Sequence, residues 1–254
     1  MAFYGAPAAV IGHRGSGKTD IWGDRKPLEN TAESLILAVK EGADGVEIDV
    51  QRTADDALVV YHNARTPDDR RIYDVTFAEL SERYAIASLN NIMAAVPAPT
   101  AVNIEIKTGY DAEETVLEHE VAELVLDYLA RAKLTQPIVV SCFDPTIVKK
   151  FAATEHVVGL LVAPVDVRTR EPMRLHDAAS WASELGAQLL HAHTEQFPLA
   201  DELALERSIA DVHGAGLELL VWCPKPKHAV HLLNAGADAV CVNYVAETVA
   251  GRGR

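Results

Sequence analysis

Eight short apolar runs separated by stretches of helical periodicity constrain this chain more than any other feature. The runs lie at Ala8–Gly12, Val46–Val50, Ala101–Ile106, Pro137–Ser141, Val157–Val162, Gln188–Ala192, Glu218–Trp222 and Ala239–Val242. Runs this short, most of them continuously apolar, are the length of strands buried in a parallel sheet. Between them, Ala32–Glu41, Glu113–Ala132, Pro145–Thr154, Met173–Leu185, Ala200–His213 and Lys227–Ala235 carry apolar residues at helical spacing. Asn30 and Thr31 are the candidate N-caps of the first helix, and Gly42 and Gly236 stand where helices must stop. Strand and helix alternating in this way over 254 residues predict one α/β domain, 1–254, folded as a closed parallel (β/α)8 TIM barrel. An open doubly wound sheet fits less well. No G-x-G-x-x-G follows the first run, and polar residues collect at many strand ends instead of one switch point.

The second strand continues as G-V-E-I-D-V-Q-R-T-A-D-D-A-L-V-V-Y-H over residues 45–62. Residues two apart on a strand share a face, so Glu47 and Asp49 project together while Val46, Ile48 and Val50 project oppositely. The turn residues Ala54, Asp55 and Asp56, followed by the apolar run 58–61, predict a β-hairpin excursion over Thr53–His62. Two carboxylates at close range oppose each other's ionisation unless a cation stands between them, and oxygen ligands suit a divalent one.

Barrel sites lie at the C-terminal ends of the strands. Those ends carry His13 and Arg14, then Glu47 and Asp49 with His62 beyond, then Asn103, Glu105 and Lys107, and later Ser141, His191, His193 and Trp222. Glu47, Asp49 and Glu105 offer hard oxygens for Mg2+ or Ca2+, with Mn2+ a third option. Arg14 and Lys107 offer fixed cations for a phosphate. His13 and His62 offer an acid and a base near neutral pH. The set as a whole describes metal-assisted phosphodiester cleavage.

Composition narrows the partners. A net charge of −14 argues against nucleic acid and anionic membrane surfaces, so any anion must be caught locally. Cys142, Cys223 and Cys241 are odd in number and follow no metal-like spacing, which suits a reducing compartment. No apolar stretch approaches the roughly 20 residues of a membrane span, and the opening residues lack the positive region of a signal peptide. The expectation is a cytoplasmic protein without stable membrane insertion, acting on a small molecule.

Five motifs occur in order: I-G-H-R-G at 11–15, E-N-T at 29–31, G-A-D-G-V-E-I-D-V-Q-R-T-A-D at 42–55, V-V-Y-H at 59–62 and N-I-E-I-K at 103–107. In these the chain resembles the glycerophosphodiester phosphodiesterase family of TIM-barrel enzymes. The resemblance implies hydrolysis of a glycerophosphodiester to glycerol 3-phosphate and an alcohol, assisted by a divalent cation. It implies that His13 and His62 are the acid/base pair and that Glu47, Asp49 and Glu105 bind the metal. It further implies that Arg14 and Lys107 contact the phosphate, that Glu29 joins the substrate-binding set by supporting the metal or Arg14, and that Trp222 contacts substrate. Two other readings share these residues: a related barrel phospholipase acting on a lipid phosphodiester, and an inactive barrel that binds a phosphorylated ligand.

The chain departs from the family pattern at Asn63, where an aspartate is usual, at Ile86–Asn91, at Trp222–Lys225 and at Val242–Val245. These positions surround the catalytic set and bear on which alcohol is read. The long loop Ser16–Leu28, with Lys18, Trp22, Arg25 and Lys26, is either a solvated loop or a strap over the site.

Overall fold

A computed structural model describes residues 3–107, 112–167 and 169–252, so nine residues of the 1–254 unit lie outside the description. The chain runs β1 (Ala9–Gly12), α1 (Thr19–Trp22), α2 (Ala32–Lys40), β2 (Gly45–Arg52), β3 (Leu58–Val60), α3 (Phe77–Tyr84), β4 (Ala87–Ser88), α4 (Leu89–Ala95) and β5 (Ala101–Ile106). It continues with α5 (Ala112–Arg131), β6 (Ile138–Cys142), α6 (Pro145–Ala152), β7 (Val157–Val162), α7 (Leu175–Glu184), β8 (Leu189–His193), α8 (Glu202–Gly214), β9 (Glu218–Trp222), α9 (Pro226–Asn234), β10 (Ala239–Val242) and α10 (Val245–Arg252).

Eight of these strands pair in parallel in the order β1-β2-β5-β6-β7-β8-β9-β10, and β1 pairs with β10 to close the barrel. The expected TIM barrel is present. β2 is longer than its neighbours because only its first six residues pair with β5, while Val50–Arg52 turn back against Leu58–Val60. The predicted hairpin is therefore an extension of a barrel strand. Its turn is closed by Thr53, whose Oγ1 donates to Asp55 Oδ1 at 2.6 Å, and by Asp56 in the left-handed region at φ 57°. β4 then adds to the outer side of β3.

Alternation along the strands divides apolar from polar. Val46, Ile48 and Val50 are fully buried and join Leu35 and Ala38 of α2 in the layer between barrel and helices. Tyr4, Ile11, Val139, Leu189, Leu220 and Cys241 fill the barrel interior beneath the site. Gly159 is required there, since a Cβ would sit 2.7 Å from His191 Nε2.

The helices fall within a few residues of their expected bounds. The first is capped by Thr31, whose Oγ1 accepts from Ser34 N, leaving Asn30 for another role. α3 and α10 were not foreseen, because each is eight residues long with few buried positions. α4 begins within Ile86–Asn91, one of the stretches where the chain departs from the family pattern. Among the described residues, no helix is long and apolar enough to cross a membrane.

Candidate active site

Register brings the acids together. Asp49 lies beside Glu105 and Glu47 beside Asn103 in the β2–β5 pairing. As a result Glu47, Asp49 and Glu105 each offer an oxygen within 4.8 Å of the others. The two cations expected to meet phosphate are already engaged with these acids. Lys107 Nζ lies 2.8 Å from Glu105 Oε1 and 3.2 Å from Asp49 Oδ1. Arg14 Nε lies 3.3 Å from Asp49 Oδ2, while Arg14 Nη1 donates to Glu29 Oε1 at 2.6 Å. Asn30 Nδ2 also donates to Asp49 Oδ2, at 2.8 Å.

The three acids consequently differ. Burial alone would raise the Asp49 carboxyl, but Lys107 and Arg14 outweigh it and hold Asp49 well below the usual carboxylate range. Burial, with Asp49 and Glu105 as like-charged neighbours, pushes Glu47 well up. Glu47 Oε2 accepts the backbone N–H of Arg14 at 2.8 Å, whereas Oε1 is buried without a partner. An orphaned buried carboxylate oxygen beside two further acids is the environment a divalent cation relieves, so the residues present fit such an ion.

His13 ends β1, with Nε2 3.9 Å from Glu47 Oε2 and Nδ1 2.9 Å from Asn243 Oδ1. The same Asn243 oxygen accepts the backbone N–H of Lys18 at 3.1 Å, which identifies it as the carbonyl and makes His13 Nδ1 the protonated nitrogen. Nε2 is left with its lone pair toward the acids. Burial and then the Arg14 charge lower His13 to about 3, so the imidazole is neutral near pH 7. His62 stands after the hairpin with Nδ1 3.0 Å from Asn63 Oδ1, so Asn63 orients it where an aspartate is usual. Burial and then Lys107 lower its pKa as well.

A cavity of about 260 Å³ is lined by His13, Arg14, Glu47, His62, Glu105 and Lys107 on one side and by Phe143, Leu161, Leu220, Trp222 and Cys241 on the other. Trp222 thus faces the cavity from the end of β9. Its Nε1 donates to Val162 O and His191 O, both at 3.2 Å, so only its ring is offered to a ligand. Asp49 lies just beneath the lining, and Glu29 supports Arg14 without touching the cavity. A larger groove of about 470 Å³ near Leu58, Leu89 and Tyr128 contains none of the site residues. Arg14, Asn30 and Cys223, three of the eight non-glycine residues with positive φ among the described residues, lie at the site, at 52°, 59° and 59°. Asn243 was not among the expected site residues. Its only sequence signal is its place one residue beyond the eighth barrel strand.

A family model for the glycerophosphoryl diester phosphodiesterase family matches residues 13–247, nearly the whole chain and the whole of this site. The chain belongs to that family. Membership identifies it as a phosphodiesterase. A glycerophosphodiester phosphodiesterase of Caldanaerobacter subterraneus is 26% identical over 251 residues, 91% of this chain and 92% of that one. A glycerophosphocholine phosphodiesterase of Schizosaccharomyces pombe is 44% identical over 77 residues, which span 28% of this chain but 7% of that much longer protein. Among solved structures, an Oleispira antarctica phosphodiesterase in complex with its product sn-glycerol-3-phosphate superposes with a TM-score of 0.77 at 24% identity, covering 100% of both chains. That likeness concerns the fold.

Proposed function

We propose that the protein hydrolyses glycerophosphodiesters to glycerol 3-phosphate and an alcohol, with one divalent cation held by Glu47, Asp49 and Glu105. The observation that carries this reading is three acidic oxygens within 4.8 Å of one another, two of them from residues that line the same cavity as two imidazoles. The orphaned Glu47 oxygen supports metal dependence. When bound, the cation supplies positive charge that stabilises a phosphate oxygen.

Arg14 and Lys107 border the same acids, so a phosphodiester lying against them meets two preorganised cations. Glu29 holds the Arg14 guanidinium in orientation. His13, neutral and with Nε2 unprotonated, takes the proton of the attacking oxygen. His62, less buried, gives a proton to the departing alcohol, its basicity restored as the anionic substrate arrives beside it. Trp222 and Phe143, edge to face with ring centroids 6.3 Å apart, wall the cavity against water and pack on the organic part of the substrate. The free cysteines agree with the cytoplasmic location included in this proposal, and the single closed barrel agrees with one 1–254 domain.

Release of glycerol 3-phosphate from glycerophosphocholine and glycerophosphoglycerol, measured with Mg2+, Ca2+ or Mn2+ and again with EDTA, tests the reading. Turnover abolished by EDTA and restored by an added ion is expected. Metal-independent turnover, or none under any condition, would overturn it.

A further inference from the structure

The strap Ser16–Leu28 is structured and pinned to the catalytic set. Trp22 Nε1 donates to Asn243 O at 2.8 Å, and Lys18 N donates to Asn243 Oδ1, the oxygen that orients His13. Thr19 N donates at 2.7 Å to Glu29 Oε2, whose other oxygen holds Arg14, and Glu29 N returns a bond to Thr19 Oγ1. Trp22 also meets Tyr244 edge-on, with ring centroids 5.3 Å apart, and carries Lys26 over its face at 4.3 Å. Gly17, at φ 112°, is held where a Cβ would lie 2.3 Å from Asn243 O, so the strap reaches the barrel rim by backbone contact.

This anchoring delivers Lys18 to the cavity wall. Of the three cations that line the cavity, Arg14 and Lys107 are paired with carboxylates, whereas the Lys18 ammonium has no ion pair among the described residues. The Lys18 backbone N–H bonds Asn243 Oδ1 one residue beyond β10, and the cavity wall it joins includes Trp222 and Cys223 at the end of β9. In the closed order of strands β1 and β10 separate β9 from β2, which carries Glu47 and Asp49. A diester whose phosphate sits against the acids and Arg14 therefore extends its far end toward an uncommitted cation beside Trp222 and Cys223.

We infer that Lys18 is a specificity residue that pairs with a second anionic group, a carboxylate or a phosphate, at the far end of the diester. The inference rests on the phosphodiesterase reading of the site and deepens it to a substrate class. A cationic head group such as choline meets an unfavourable like charge at this position, and a neutral one makes no ion pair there.

The test compares four diesters: glycerophosphoserine, whose head group adds a carboxylate to an ammonium; bis(glycerophospho)glycerol, bearing a second phosphate; glycerophosphoglycerol, with a neutral head group; and glycerophosphocholine, with a cationic one. The wild-type protein is expected to favour the two anion-bearing compounds over the choline ester in kcat/KM by roughly tenfold, the scale of one well-placed ion pair. Lys18→Gln should collapse that ratio through KM, and Lys18→Arg should restore it. The relative response of the serine and bis-phosphate compounds shows which anion the site reads. A wild-type preference for the choline ester would overturn the inference, and so would a Lys18→Gln variant that weakens all four alike, which would mark Lys18 as a ligand of the shared phosphate. Should none of the four turn over, calorimetric Kd values for the same compounds read the same ratio, so failure of the hydrolase reading and failure of this one remain distinct.

Discussion

Across the cavity, the two halves of the barrel rim are built on opposite principles. The ends of β1, β2 and β5 carry His13, Arg14, Glu47, Asp49, Glu105 and Lys107, all within a network of ion pairs and hydrogen bonds. The wall from β6 to β10 presents Phe143, Leu161, Leu220, Trp222 and Cys241, with Lys18 entering from the strap. One half gathers charge in a buried place, which is costly unless each group has a partner. The other half supplies the dry wall that makes those charges effective. The comparison predicts that substitutions in the charged half act on turnover, whereas those in the apolar half act on which substrate is held.

The largest effect is expected in the charged half. Replacing His13 or His62 by Ala should lower kcat by about 10²–10⁴, the scale of lost acid/base catalysis, with the fold intact by circular dichroism. A near-normal rate in either variant would remove that histidine from the mechanism. In the apolar half, Trp222→Leu should raise KM about tenfold and change kcat less, because the ring offers packing and no proton. Equal losses in kcat from Trp222→Leu and from either histidine variant would erase the distinction between the halves.

A smaller effect comes from the interior beneath the site. His191 is fully buried with Nε2 3.1 Å from the Tyr4 hydroxyl, and burial lowers it to about 3 from 6.5. Between those values the unfolded chain binds a proton that the folded chain refuses. Stability is therefore full above pH 6.5 and falls as pH drops toward 3, by at most about 1.4 kcal/mol per pH unit from this group. The melting temperature measured against pH should show this slope, and His191→Gln should flatten it. An unchanged slope in that variant would assign the acid sensitivity to other groups.

Much of this arrangement was legible in the chain because strand physics is local. Alternation put Glu47 and Asp49 on one face and Val46, Ile48 and Val50 on the other, and the pattern of runs and helices predicted the closed barrel, as found. What escaped were relations set by closure of the barrel. Asn243 orients His13 across 230 residues of sequence, and nothing near either residue announces the pair. The pairing of Lys107 with both Glu105 and Asp49 likewise depends on how far side chains reach after the strands have docked, whereas the resemblance had already left Glu29 between the metal and Arg14, and it pairs with Arg14. Short helices such as α3 and α10 bury too few residues to leave a clear period.

Titration of the EDTA-treated protein with Mn2+, followed by the loss of the free-ion spin-resonance signal, tests the central claim most directly. The account predicts one tight ion per chain in the wild-type protein, lost in Asp49→Asn and in Glu105→Gln. An ion bound equally well by those two variants, or none bound by the wild type, would contradict it.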